Sequence, residues 1–228
     1  MSELLHFSEH TLQEVALGFM GLVYVIRVIW LLRFKAGGER QAPTGPAGTT
    51  PAKGVVYSWA AIAMPWAMES LRTKLFLYSQ FVVFHVGVAT AITLSFVIPY
   101  GPGLLAHRPV VLAIQIVTGA ACLVGIMRFA RRAGNPYMRA ISSPDDYFSL
   151  TLLTVWLLSA ALAAPNSVVR GEWHLTTFFI LTAFFLIYVP FSKISHYLYY
   201  PFTRYYLGKT MGYRGIYPIR HSQKAKAV

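Results

Sequence analysis

Four ionisable side chains lie inside apolar stretches of this 228-residue chain: Arg27, His85, Lys193 and His196. A titratable group in hydrocarbon is costly, so each is a functional candidate by default. His85 sits in YSQFVVFHVGVAT and His196 in PFSKISHYLYY. A neutral imidazole is a good axial ligand for haem iron, and two of them from facing helices can clamp a macrocycle edge-on. A hydrogen-bonded interhelical histidine is the plainer alternative for either residue, and spacing alone leaves both open. Gly87, two residues after His85, offers room for a flat ring. No Ser-His-Asp or Cys-His arrangement and no phosphate-binding glycine loop is evident. Asp145 and Asp146 read as a polar flank rather than as a general acid–base pair.

The elements that carry these residues are membrane spans. Hydrophobic residues make up 56% of the chain and charged ones 12%, and the mean hydropathy is +0.51. Apolar runs reach the roughly 20 residues needed to cross a hydrocarbon core. Helices are expected at about 12–34, 76–99, 109–130, 148–165 and 173–200, since the runs are too long and too uniformly apolar for barrel strands. Turn signals at Gly101, Pro102 and Gly103, and at Pro165 and Asn166, separate spans. The fold expected is an all-α, five-helix integral membrane bundle. One cysteine, Cys122, permits no intrachain disulfide, no iron–sulfur cluster and no covalently attached haem c. Any such centre belongs to a separate polypeptide. The opening MSELLHFSEH lacks the basic start and small-residue cleavage site of a signal peptide.

A net charge of +12 would suggest nucleic acid in a soluble protein. Here no nucleic-acid motif is visible, and topology explains the basic residues better. Seventeen Lys and Arg fall in the links after the first and third spans and at the C-terminal end, from Arg33 and Lys35 through Arg128 to Lys226. The links after the second and fourth spans hold two, Arg108 and Arg170. The positive-inside rule then puts the N-terminus outside and the C-terminus in the cytoplasm. The second and fifth spans cross in opposite senses, so His85 and His196 both fall in the cytoplasmic half. Residues 36–56, rich in Gly, Pro, Ala and Thr, read as a flexible linker. Residues 57–75 mix Trp59 and Trp66 with Glu69, Arg72 and Lys74, as a segment lying on the membrane surface does. A resting connector and a docking surface for a cytoplasmic subunit are both open for that stretch. The tyrosines of YLYYPFTRYYLG suit an interfacial aromatic belt.

Three motifs carry a family resemblance. They are FHVG (Phe84 to Gly87), RRAGNPYMRAISSPDD (Arg131 to Asp146) and PFSKISH (Pro190 to His196). Together they resemble the membrane cytochrome b (gamma) subunit of respiratory nitrate reductases and its relatives in sulfite-reductase-associated and heterodisulfide-reductase-type complexes. The likeness runs from about Leu75 to Tyr213. It implies that His85 and His196 are the two axial ligands of a haem b near the cytoplasmic side. It also implies that an arginine after the third span neutralises a haem propionate, with Arg131 and Arg132 nearest. Lys193, one turn before His196 on the same helical face, is a further propionate candidate, or a lysine snorkelling to the interface. Arg27, near the cytoplasmic end of the first span, either snorkels to phosphate or faces a propionate.

The departures from the family are as informative. Two-haem members carry histidines where this chain has Ser95 and Phe178, so one haem is expected rather than two. The alternative is that His174 finds a new partner in His10 or His107. The resemblance implies an electron-transfer subunit in the cell inner (plasma) membrane, linking quinone or quinol to a cytoplasmic iron–sulfur or similar redox subunit, with an outer-face cytochrome as another conceivable partner. The rival reading is a haem-free membrane anchor or assembly subunit of such a complex. A transporter has less support, because no span is plainly interrupted at the midplane by a Gly/Pro-rich site with matching repeats. The expected division is 1–34 for the N-terminal segment and first span, and 35–75 for the cytoplasmic linker and interfacial segment. A four-helix haem-binding core would take 76–206 and a basic cytoplasmic tail 207–228.

Overall fold

The computed structural model describes residues 2–34, 41–42, 48–65, 73–169 and 171–219. Residues 36–40 and 43–47 of the expected linker, residues 66–72 of the interfacial segment with Trp66, Glu69 and Arg72, and the basic stretch 220–228 lie outside the described residues. Among the described residues every regular element is helical. Five stretches are long and apolar enough to cross a membrane: Glu3–Arg33, Leu75–Tyr100, Arg108–Gly134, Pro144–Ala163 and Trp173–Phe191. Their outer faces expose large apolar side chains, among them Val86, Ile92 and Phe96 on one span and Leu112, Ile116 and Leu123 on the next. A surface of that kind is matched to lipid and not to water. The chain is a multi-pass, all-helical membrane protein.

It divides into two compact units: Met1–Val28 with Ser79–Ser195, and Ile29–Tyr78 with His196–Val228.

In the first unit, α1 (Glu3–Glu9) and α2 (Thr11–Arg33) are separated at His10. They are followed by α4 (Leu75–Tyr100), α5 (Arg108–Gly134), the short α6 (Pro136–Ala140), α7 (Pro144–Ala163) and α8 (Trp173–Tyr188). Lipid offers no hydrophobic drive between helices, so close backbone approach and interhelical hydrogen bonds do the joining. A Cβ at Gly87 on α4 would stand 2.1 Å from the Ala121 Cβ on α5, and one at Gly125 would stand 2.3 Å from Thr154 Oγ1 on α7. The Trp156 indole donates to Thr182 Oγ1 at 2.8 Å, the Gln115 amide to Ala161 O at 3.1 Å, and the Gln13 amide to Phe179 O at 2.7 Å. Phe178, Phe179, Leu157 and Ala160 form the fully buried centre.

The fifth span is not the continuous helix expected over 173–200. α8 stops at Tyr188, two 3-10 turns follow at Val189–Phe191 and Lys193–Ser195, and α9 starts at His196 and runs to Tyr213. Pro190 has no N–H to continue the ladder and crowds the carbonyl one turn back. Two serines then satisfy the backbone locally: Ser192 Oγ donates to Val189 O and accepts from Ile194 N, while Ser195 Oγ donates to Ser192 O.

The second unit is built on α3 (Pro51–Ala60) against α9. Part of the stretch expected as flexible linker is thus helical. Thr50 caps it by accepting from Lys53 N at 3.2 Å, and Pro51 opens it. Gly54, which reads as linker composition, is a packing surface. A Cβ there would lie 2.2 Å from Gly208 O, and one at Gly212 would lie 2.5 Å from Thr50 O. The Trp59 indole donates to Pro201 O, and the Tyr200 hydroxyl donates to Trp59 O. The expected tail from 207 onward therefore begins inside a helix.

Candidate functional site

His85 stands ten residues into α4 and is exposed. Its Nδ1 lies 2.8 Å from Phe81 O, one turn back. A carbonyl only accepts, so this bond places the ring proton on Nδ1 and the acceptor lone pair on Nε2. That tautomer, fixed by a backbone carbonyl, is the form in which histidine binds a metal. The ring is held between Phe81, at 4.1 Å between centroids, and Phe84, at 6.2 Å edge-on. The donor chemistry at His85 therefore fits a haem-iron ligand. Gly87 does not supply the room expected of it, because Ala121 occupies that side of α4.

His196 is the first residue of α9, exposed, with its ring edge-on to Tyr197 at 6.5 Å. It belongs to the second unit and His85 to the first.

Lys193 precedes α9 in a 3-10 turn and so is not on the helical face of His196. Nor does it extend to the interface alone. Its ammonium donates to Asp146 Oδ2 at 2.7 Å and to Ser143 Oγ at 2.7 Å, and its backbone N–H donates to Asp145 Oδ2 at 3.2 Å. Arg132 reaches the same place, donating to Ser142 Oγ at 2.6 Å with Asp146 3.8 Å away. Asp146 also closes a capping box with Ser143 at the start of α7. Asp145 accepts from the Tyr188 hydroxyl, which lies 2.9 Å from Ser149 Oγ. The two aspartates are thus more than a polar flank: they are counter-ions and caps that tie α7 to the turn after α8. Two of the expected propionate partners, Lys193 and Arg132, already face a carboxylate.

Arg131 is exposed and has no carboxylate partner among the described residues. Arg27 lies over the Phe191 ring at 5.5 Å, beside the Phe19–Phe191 ring contact, so α2 meets the interrupted part of the fifth span through this residue. Arg128, which reads in the sequence as one more positive-inside anchor, is half-buried with its guanidinium 5.8 Å over the Phe84 ring. Its position six residues inside the end of α5 was the available signal.

At the opposite end of the unit, His6 and His10 rings lie 4.9 Å apart, and His10 is edge-on to Tyr100. His174 is buried beside Trp173. Among the described residues no group of three or more His, Cys, Asp or Glu is arranged to hold a metal ion. Ser95 is buried and donates to Ile92 O, and Phe178 is fully buried and stacked on Trp156. Compared with family models, curated proteins and solved structures, the chain matches none.

Proposed function

We propose that this chain is the haem b membrane subunit of a respiratory oxidoreductase, passing electrons between a quinone pool and a partner redox subunit. The observation that carries the reading is His85, in the FHVG motif, with Nδ1 committed to Phe81 O and Nε2 as the ring's donor atom. The PFSKISH motif supplies His196 as the second axial ligand by resemblance. When bound, the haem supplies one-electron redox chemistry, and the protein contributes ligation, burial and position. His85 is pre-oriented by its carbonyl bond and by two aromatic neighbours, so little ring freedom is lost on ligation.

The distribution of Lys and Arg supports an orientation with the N-terminus outside and the C-terminus in the cytoplasm, and the resemblance puts the chain in the cell inner (plasma) membrane. Quinone or quinol reaches the chain from the lipid side. A cytoplasmic iron–sulfur or similar redox subunit docks on basic residues of the cytoplasmic links, among them Arg131 and Arg139. With Ser95 and Phe178 at the positions of the second ligand pair, the expected load is one haem b.

The test is a reduced-minus-oxidised spectrum and a pyridine haemochrome assay on the chain purified in detergent. A b-type α band with a stoichiometry near one supports the reading, and H85A or H196A then removes it. A colourless preparation from haem-replete cells would sink it and leave a haem-free anchor. A stoichiometry near two would bring in His174.

A further inference from the structure

α3 buries one face and exposes a second apolar one. Gly54, Val55 and Ser58 are buried, at the spacing of a single helix face against α9. Ala52, Val56 and Trp59 fall on the opposite face and are exposed, Val56 by 65% and Trp59 by 45%. The close approach of Gly54 to Gly208 and Gly212 fixes which way that face points. The Trp59 indole N–H is committed to Pro201 O at 3.0 Å, so the ring offers its apolar plate outward. A short helix with apolar residues on both faces is matched to water on neither.

α9 adds charge. Arg204 and Lys209 stand about 140° apart around the helix. Gly208 and Gly212, the contacts with α3, fall between them, so the two cations flank α3. Arg204 lies over the Tyr200 ring at 5.4 Å, and Lys209 is exposed, as is Lys53 on α3. From His196 to Val228 the sequence holds Arg204, Lys209, Arg214, Arg220, Lys224 and Lys226 and no Asp or Glu. The described residues of this unit include no carboxylate side chain. Cations without a counter-ion of their own are complementary to an anionic partner.

Two observations choose that partner. Neither α3 nor α9 is among the stretches long and apolar enough to cross a membrane, and α3 is only about 15 Å long. Yet His196 follows Phe191, the end of the fifth such stretch, by five residues, so chain continuity starts α9 at the bilayer surface. Tryptophan, tyrosine and snorkelling Lys or Arg beside apolar residues are what the headgroup layer takes up. We propose that the α3–α9 pair is an anionic-phospholipid site lying along the membrane surface, with Val56 and Trp59 against acyl chains and Lys53, Arg204 and Lys209 on headgroup phosphates. The acidic face of a redox subunit answers the cations alone, whereas lipid answers the cations and the apolar face together. The site is independent of the haem reading.

The experiment reconstitutes the full chain in vesicles of phosphatidylcholine, or of equal parts phosphatidylcholine and phosphatidylglycerol, with one lipid brominated on its acyl chains. The fluorescence difference between wild type and W59F gives the Trp59 signal. Brominated phosphatidylglycerol is expected to quench that signal more than brominated phosphatidylcholine does. K209Q and R204Q are each expected to lower the relative affinity for phosphatidylglycerol by about fivefold. In wild type the preference should shrink as salt is added, a readout that remains should a variant fail to accumulate. Equal quenching by the two lipids, unmoved by salt, overturns the proposal. So does a Trp59 signal that neither lipid quenches, and shielding regained only with a co-purified acidic subunit would assign the face to protein instead. Haem content decides none of these readouts, so a colourless preparation leaves the test intact.

Discussion

The Lys193 ammonium lies 2.7 Å from Asp146 Oδ2 and joins the turn that interrupts the last span to the first turn of α7. Lys193 is 58% exposed at its side chain and Asp146 18%. The pair itself is therefore worth under about 1 kcal/mol. Asp146 does more than pair, since it accepts from Ser143 N at 2.8 Å as part of the cap.

D146N is accordingly expected to cost about 1–2 kcal/mol, because the cap and two cation contacts weaken together. K193Q should cost less than half of that. Thermal unfolding of the purified protein, followed by helical circular dichroism, ranks the two. Equal losses would mean that the cap contributes nothing.

The crossing of α3 and α9 makes a contrasting prediction about glycine. G54A puts a methyl 2.2 Å from Gly208 O, whereas Gly18 on α2 has nothing within 4 Å of its missing Cβ. G54A should destabilise by about 1–3 kcal/mol through overpacking, and G18A should be neutral or slightly stabilising through helix propensity. Limited proteolysis of the full chain, scored at the segment before α4, is expected to accelerate for G54A alone.

Gly87 separates packing from cofactor room. G87A places its methyl against the Ala121 methyl, at a cost of about 1–3 kcal/mol. Adding A121G opens that space and should restore most of the stability, a coupling that a double-mutant cycle measures directly. Were Gly87 kept small for a porphyrin face, A121G would rescue nothing.

Acid should release α1. Hydrogen bonds from Ser2, by its side chain and its backbone N–H, hold the Glu172 carboxyl below the usual glutamate range. A depressed carboxyl contributes stability that is present above its unfolded value of 4.5 and is lost as pH falls through the folded value. The protection factors of the amides in Glu3–Glu9, exchange being referred to the intrinsic rate at each pH, are expected to fall on acidification below that value and to stay constant with pH in E172Q. An unchanged profile in E172Q would remove this tether.

The positions of the five spans were legible in the residues alone, because hydropathy over 20 residues is a local sum that lipid reads directly. His85 was equally legible, since a histidine in an apolar run is conspicuous wherever it packs. The break before His196 was half-legible: Pro190 was visible, but the extended Ser192 depends on which carbonyls the serine hydroxyls choose. Partner choice was not legible. Asp146 looked like a helix flank until folding brought Lys193 to it from 47 residues away.

Gly54 looked like linker composition for the same reason. A glycine is flexible in a free chain and is a contact surface when another backbone lies against it, and only the fold supplies that backbone. Composition and order of residues therefore determined that the chain crosses the membrane, how often, and which imidazole stands in the second span. Tertiary structure decided which charges are already answered by a carboxylate and which, like Arg128, lie over an aromatic ring instead, because electrostatic compensation is set by distance in space and not by distance along the chain.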